Sequence, residues 1–254
     1  MLSQTEISKY HEDGQITVPG KLPAATVAEL LQEMELFFEK QPGVDTDYMA
    51  NLIDQDQSWL KYAAMPEILD AVGDLIGEDI IAWGSALFAK KGVGGKATPW
   101  HQDGHYWPIR PLATVTAWIA IDDVGTDNGC MRVLPGSHTE KTLFEHEKDD
   151  SDDIILNQAL DIEMHDFQPT RDVVLAPGEF SIHDVHLVHG AEPNNSGRRR
   201  GGLVFRYMPA SSFYDRDLAR QQVREMGVPD ISNRNLYLVR GVNRSGKNDV
   251  YSVN

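Results

Sequence analysis

The chain has 254 residues, 41% hydrophobic and 24% charged, with a formal net charge of −16. That is the composition of a soluble globular protein long enough to bury a sizeable core, and one domain is expected. The acidic excess excludes a nucleic-acid or anionic-membrane face, either of which needs basic residues. It reads as a solvated acidic exterior, with a saline habitat or a cationic substrate as the alternatives. Cys130 is the sole cysteine, so no intrachain disulfide forms, and a packed thiol in a reducing cytoplasm is expected. Residues 1–6 lack the basic and apolar regions of a leader, and the longest near-apolar run, 80–89, is too short to span a bilayer.

Along the chain, residues 3–13 carry a weak helical period broken at Asp13-Gly14, and 15–18 read as a short strand. Val27, Leu30, Leu31, Met34 and Phe37-Phe38 recur at helical spacing over 23–40, and Ile68, Leu69, Val72, Leu75 and Ile76 do so over 66–76, with Gly77 as the stop. The irregular acidic stretch 44–58 is expected to form a loop over a site. From residue 79 the pattern turns to strands: 80–90, 114–121, 130–134, 172–175, 179–183 and 203–208. Asp127-Asn128-Gly129 reads as the turn of a hairpin joining 114–121 to 130–134. Residues 145–170 read as an excursion or lid, and the tail from 215 as a helix followed by irregular chain. Helices first and short strands after imply an all-β core with helices on one face: a helical flank over about 1–78, a core over 79–210 and an extension over 211–254.

The chemistry concentrates in Pro99-Trp100-His101-Gln102-Asp103-Gly104-His105-Tyr106-Trp107. In an extended segment His101 and Asp103 share a face. With a distant histidine they make the two-histidine, one-carboxylate pattern of non-haem iron sites. Of His183, His186 and His189, only His189 begins a turn-rich Gly-Ala-Glu-Pro-Asn sequence that would leave it at a strand end facing a cavity. Eleven residues on lies Arg200, within Arg198-Arg199-Arg200. Alternation places Arg198, Arg200, Gly202, Val204 and Arg206 on one face and Arg199, Gly201, Leu203, Phe205 and Tyr207 on the other. The interior arginine is therefore Arg198 or Arg200. A guanidinium fixed beside a metal suits a chelating dicarboxylate, which can take it as a bidentate pair.

These segments, together with Arg110-Pro111, Ala117-Trp118, Asp127-Asn128-Gly129-Cys130, Leu134-Pro135-Gly136-Ser137-His138 and His189-Gly190…Asn194…Arg200, resemble the phytanoyl-CoA dioxygenase family over about residues 5–210. The resemblance implies a double-stranded β-helix (jelly-roll, cupin-like) and an Fe(II)- and 2-oxoglutarate-dependent dioxygenase that consumes O2. It implies His101, Asp103 and His189 as iron ligands, Arg200 as the partner of the distal carboxylate of 2-oxoglutarate, and Trp118 beside that co-substrate. Asp103 favours hydroxylation over halogenation. Ala191 stands where relatives often carry a hydroxyl, and Ser196 or Thr116 is expected to replace it.

His105 and Trp107 continue the ligand face. His105 is a substrate contact or a donor behind the ligands, and Trp107 a pocket wall or a core aromatic. His138 either caps a turn or meets substrate, His183 and His186 belong to the core or stand behind the ligands, and His11, His146 and His165 are expected at the surface. Lys90, Lys91 and Lys96 are a candidate basic rim. The expected partner is a small organic molecule, with neither nucleic acid nor membrane involved. The competing readings are an inactive metal-binding or sensing jelly roll, and a zinc hydrolase.

Overall fold

The computed structural model describes residues 1–149, 151–160, 169–243 and 245–253. His165 of the sequence reading lies outside them. Four helices of ten or more residues flank the sheets: α1 (Gln4–Asp13), α2 (Ala24–Glu39), α3 (Pro66–Ile76) and α4 (Arg216–Met226). Their ends follow from local chemistry. Ser3 and Glu6 cap α1 reciprocally and Gly14 closes it in the left-handed conformation, Pro66 opens α3, and the Asp215 side chain accepts from Leu218 N at the start of α4.

The main strands in chain order are β1 (Gln15–Thr17), β2 (Ile80–Lys90), β3 (Thr98–His101), β4 (Val115–Ala120), β5 (Met131–Val133), β6 (Arg171–Val173), β7 (Phe180–Asp184), β8 (His189–Ala191), β9 (Arg200–Pro209) and β10 (Tyr237–Arg240). They form a large sheet in the order β1-β7-β4-β9-β2-β10 and a small sheet in the order β6-β5-β8-β3, each antiparallel throughout this path. From β3 to β9 the chain passes repeatedly between the two sheets. That connectivity makes the double-stranded β-helix.

Alternation along β9 explains its nearly continuous burial. Leu203, Phe205 and Tyr207 join Leu30, Met34, Ile68 and Val72 in the core under the helices. Val204, on the other face, joins Ala86 and Trp118 of the large sheet and Met131 and Val133 of the small one. Each fully buried aliphatic or aromatic side chain contributes about 1.5–3 kcal/mol, so both faces of this strand drive folding.

The expected hairpin between 114–121 and 130–134 does not form. β4 pairs with β7 and β9, whereas β5 pairs with β6 and β8 in the other sheet. The turn at 127–129 is a corner between sheets. The Asn128 side chain accepts from Gly125 N at 2.8 Å and donates to Asp123 O at 2.7 Å, folding the connection onto itself before Gly129 redirects it with a φ of 75°.

Candidate metal centre

The site lies between the two sheets. β3 ends at His101, Gln102 stays extended at φ −116° and ψ 129°, and Asp103 opens a 3-10 turn over Asp103–Tyr106. One extended residue suffices to put His101 and Asp103 on one side. Gln102 is fixed there by its amide, which donates to His186 O at 2.6 Å and Thr142 O at 2.9 Å. β8 begins at His189, directly opposite His101, and the two rings stand 4.2 Å apart. His101, Asp103 and His189 are all buried, and one ligand atom from each lies within 4.8 Å of the others.

The surroundings fix which atoms face inward. His101 Nδ1 sits 2.8 Å from Pro99 O and His189 Nδ1 2.9 Å from Leu187 O. Carbonyls only accept, so each Nδ1 carries the proton and each Nε2 keeps a free lone pair. Burial lowers the affinity of both imidazoles for a second proton, and for His189 the neighbouring His101 and His183 lower it further. Both are neutral, metal-ready bases. Burial alone would raise the Asp103 carboxyl, but the His183 hydrogen bond and the Arg206 charge outweigh it and hold the carboxyl well below its ordinary range. Its Oδ2 accepts from Thr116 Oγ1 at 2.9 Å and lies 3.3 Å from His183 Nε2, which leaves Oδ1 turned to the cluster, 3.8 Å from His101 Nε2. Two neutral imidazoles and one carboxylate, each oriented by a partner behind it, suit a divalent transition metal.

A partly open cavity of ≈ 790 Å³, mouth included, adjoins this cluster. Arg200 and Trp118 line it, and the guanidinium lies 5.2 Å from the indole ring. A Cβ on Gly202 would stand 2.1 Å from Trp118 Cζ2, so the glycine makes room for the ring. Alternation holds around Arg200. Arg199 points the other way, binding Asp122 at 2.8 Å and reaching Glu35 on α2, while Arg198 is exposed and pairs with Asp127. Arg200 is 2% exposed, forms no ion pair among the described residues, and its Nε has no hydrogen-bond partner. Burial pushes it down to about 10. A buried, unpaired guanidinium of this kind is a cradle for a ligand carboxylate.

The remaining predicted residues divide. Trp107 is both core and wall: it lines the cavity and meets Trp83 edge-on at 4.5 Å. His105 does not continue the ligand face, because the 3-10 turn rotates it away. It stacks on His146 at 4.1 Å while Tyr106 takes the cavity position. His146 is consequently no surface residue. It accepts from Gln102 N at 3.0 Å, and burial, aided by His105, pushes it down to about 4. His138 belongs to a turn, with Nε2 at 3.1 Å from His11 O, and His186 bonds Asp184 at 3.1 Å. Ser196 holds the local turn through Asn194 at 2.8 Å, whereas Thr116 lines the cavity. Lys90 is no rim residue: it is fully buried with Nζ 2.8 Å from Glu192 O, while Lys91 and Lys96 pair with Asp45. Tyr48, Tyr106, Arg206 and Arg234 also line the cavity. Sequence reasoning set Arg206 on the inward face without giving it a task. For Arg234, in an irregular tail, no periodic signal existed.

The family model described as phytanoyl-CoA dioxygenase (PhyH) matches residues 10–202. The chain belongs to this family. It is 31% identical over 183 residues to the peroxisomal phytanoyl-CoA dioxygenase of Bos taurus, covering 70% of this chain and 54% of that protein, so it spans about half the relative's length. A probable alpha-ketoglutarate-dependent hypophosphite dioxygenase of Stutzerimonas stutzeri is 27% identical over 226 residues, covering 83% of this chain and 73% of that one. Among solved structures, the non-heme alpha ketoglutarate dependent carbocyclase SnoK from nogalamycin biosynthesis superposes with a TM-score of 0.70 at 27% identity, covering 84% of this chain and 86% of that one. No helix among the described residues is long and apolar enough to cross a membrane.

Proposed function

We propose that the chain is an Fe(II)- and 2-oxoglutarate-dependent dioxygenase that hydroxylates a C–H bond of a small organic molecule. His101, Asp103 and His189 hold the iron, and Arg200 holds the distal carboxylate of 2-oxoglutarate beside Trp118. The observation that carries this reading is the pairing of a three-ligand cluster with a buried guanidinium that meets no carboxylate among the described residues, both on one cavity. A metal module without a dicarboxylate would leave that charge uncompensated, and among the described residues the cavity adds no second carboxylate to serve a zinc hydrolase as general base.

Bound iron supplies activation of dioxygen coupled to oxidative decarboxylation of 2-oxoglutarate, with succinate and CO2 released. The chain supplies the rest. Thr116 and His183 hold Asp103 Oδ2 so that one oxygen remains for the metal, and the Pro99 and Leu187 carbonyls fix the imidazole tautomers. His101, Asp103 and His189 would hold the iron with three protein groups, and the retained Asp103 carboxylate would favour hydroxyl transfer over halide transfer. Trp107, Trp118 and Val204 give the cavity apolar walls, which strengthens the charge pairing at Arg200 by excluding water.

The test is anaerobic addition of Fe(II) and 2-oxoglutarate to the folded protein. A visible metal-to-ligand charge-transfer band is expected, and it should vanish in Arg200→Ala while Fe(II) still binds. A folded protein that gives no band refutes the reading.

A further inference from the structure

Three arginines line the cavity: Arg200, Arg206 and Arg234. Among the described residues none of them forms an ion pair, although Arg132, Arg171, Arg198, Arg199 and Arg240 elsewhere all pair with carboxylates. The co-substrate accounts for Arg200. Arg206 helps to keep Asp103 ionised, but nothing in the reaction so far accounts for Arg234 or for a second guanidinium beside it.

Arg206 is 8% exposed with an unpartnered Nε, and Arg234 has Nε and Nη1 buried without partners. Stacking explains their positions, and Asp103 and Tyr48 answer part of the Arg206 charge but leave its Nε without a partner. Arg206 lies 5.2 Å from the Trp107 ring and Arg234 5.6 Å from the Trp83 ring. A ring covers a guanidinium's face, whereas its five N–H donors point outward in its plane. The two side chains also converge across one glycine. A Cβ on Gly84 would stand 2.7 Å from Arg234 Nη1 and 3.2 Å from Arg206 Cδ. The arrangement is built, because Arg216 Nη1 donates to Ser232 O at 2.7 Å and Arg234 O at 3.0 Å and so holds the main chain that delivers Arg234. Burial and the nearby Arg206 both lower the proton affinity of Arg234, as like charges in a shared wall must. Asp103, the cavity's one carboxylate among the described residues, belongs to the metal cluster.

We propose that Arg206 and Arg234 form a second anion site, separate from the anchor at Arg200, that binds an oxyanion group of the primary substrate, a carboxylate or a phosphonate. The assignment of this ligand to the primary substrate rests on the dioxygenase reading above. Arg206 lies directly opposite Thr116 across β9 and β4, and Thr116 holds Asp103. The anionic group therefore sits beside the metal ligands, and the carbon oxidised is close to it in the molecule. Tyr48, whose hydroxyl accepts from Arg206, and Tyr106 also line the cavity and lie near that guanidinium. The acidic exterior suggested a cationic substrate as one alternative; the cavity has the opposite sign.

The test is calorimetric titration under nitrogen of protein loaded with Mn(II) and 2-oxoglutarate, using methylphosphonate, acetate and neutral acetamide as probes. One further equivalent of methylphosphonate or acetate should bind, the tighter of the two naming the oxyanion class, and acetamide should not. Arg234→Gln and Arg206→Gln, each checked for folding by thermal unfolding, should weaken that uptake about tenfold or more, and Arg234→Gln should leave 2-oxoglutarate affinity within about twofold. Absence of a saturable further equivalent, or unchanged affinity in a folded variant, overturns the proposal. If the protein takes up neither Mn(II) nor 2-oxoglutarate, the same titration on metal-free protein still reads the site, since Arg200→Ala and Arg234→Gln should then remove different equivalents. Failure of the metal reading and failure of the second anion site are thereby separate results.

Discussion

Gly202→Ala tests whether the co-substrate end of the cavity depends on one missing methyl group. An added Cβ would lie 2.1, 2.3 and 2.6 Å from three atoms of the Trp118 ring. Trp118 is buried and sits on the strand between β7 and β9, so the ring cannot yield by moving outward. Overpacking of this kind costs about 1–3 kcal/mol. Displacing the ring from Arg200 also removes a cation–π contact of about 0.5–2 kcal/mol. The sum is about 1.5–5 kcal/mol, which for a domain of this size lowers Tm by roughly 3–20 °C. Thermal unfolding followed by circular dichroism measures the loss, and the charge-transfer band measures weakened 2-oxoglutarate binding in the same protein. Adding Trp118→Leu should give a double variant less destabilised than the sum of the two single ones, because the side chain that clashes has been removed. An unchanged Tm with unchanged 2-oxoglutarate binding in Gly202→Ala would refute the packing argument.

Thr116→Val removes the hydroxyl that holds Asp103 Oδ2, and metal affinity should fall about 10–100-fold with the fold retained, as read by competition with a chromophoric chelator. Gln102→Ala breaks the amide bonds to Thr142 and His186 and the acceptor for Phe144 N, and it should cost about 1–3 kcal/mol per buried group left unpaired, with amide hydrogen exchange of residues 142–144 accelerated. Burial, with Arg200 adding to it, pushes the Lys90 amine down to about 6. Between that pH and the ordinary lysine value the unfolded chain binds the proton and the folded chain does not, so stability should rise as pH rises through this window. Lys90→Met should flatten the slope in urea unfolding series, and an identical slope in the variant would contradict the assignment.

The convergence of His101, Asp103 and His189 was legible because strand geometry is simple. His101 and Asp103 needed one extended residue between them, and the turn after His189 marked a strand end. The same period-two rule separated Arg200 from Arg199, and the acidic partners of Arg199, on 122 and on α2, lie on the helical side as that rule requires. It failed where the backbone left the strand. His105 was placed by extending the alternation through a 3-10 turn, which has three residues per repeat and turns the ring to His146. The hairpin reading failed for a different reason: a strong turn signal specifies a reversal of the chain, and both a hairpin and a corner between sheets satisfy it. Lys90 looked like a surface charge because composition cannot show that the carbonyls of Ala191 and Glu192 receive its amine hydrogens. Arg234 reaches the cavity only through tertiary placement by Arg216.

The candidate metal ligands and the proposed co-substrate anchor come from opposite sheets: His101 and His189 from the small one, Arg200 and Trp118 from the large one. No stretch of covalent backbone shorter than the connection from β8 to β9 sets the distance between them. The spacer is the apolar layer of Val204, Ala86, Met131 and Val133 that keeps the sheets apart. These residues therefore act as a gauge for the bite of the site. A change in their volume would alter the span offered to a chelating dicarboxylate before it altered any residue that touches one, so substitutions there should register as changes in co-substrate selectivity as well as in stability.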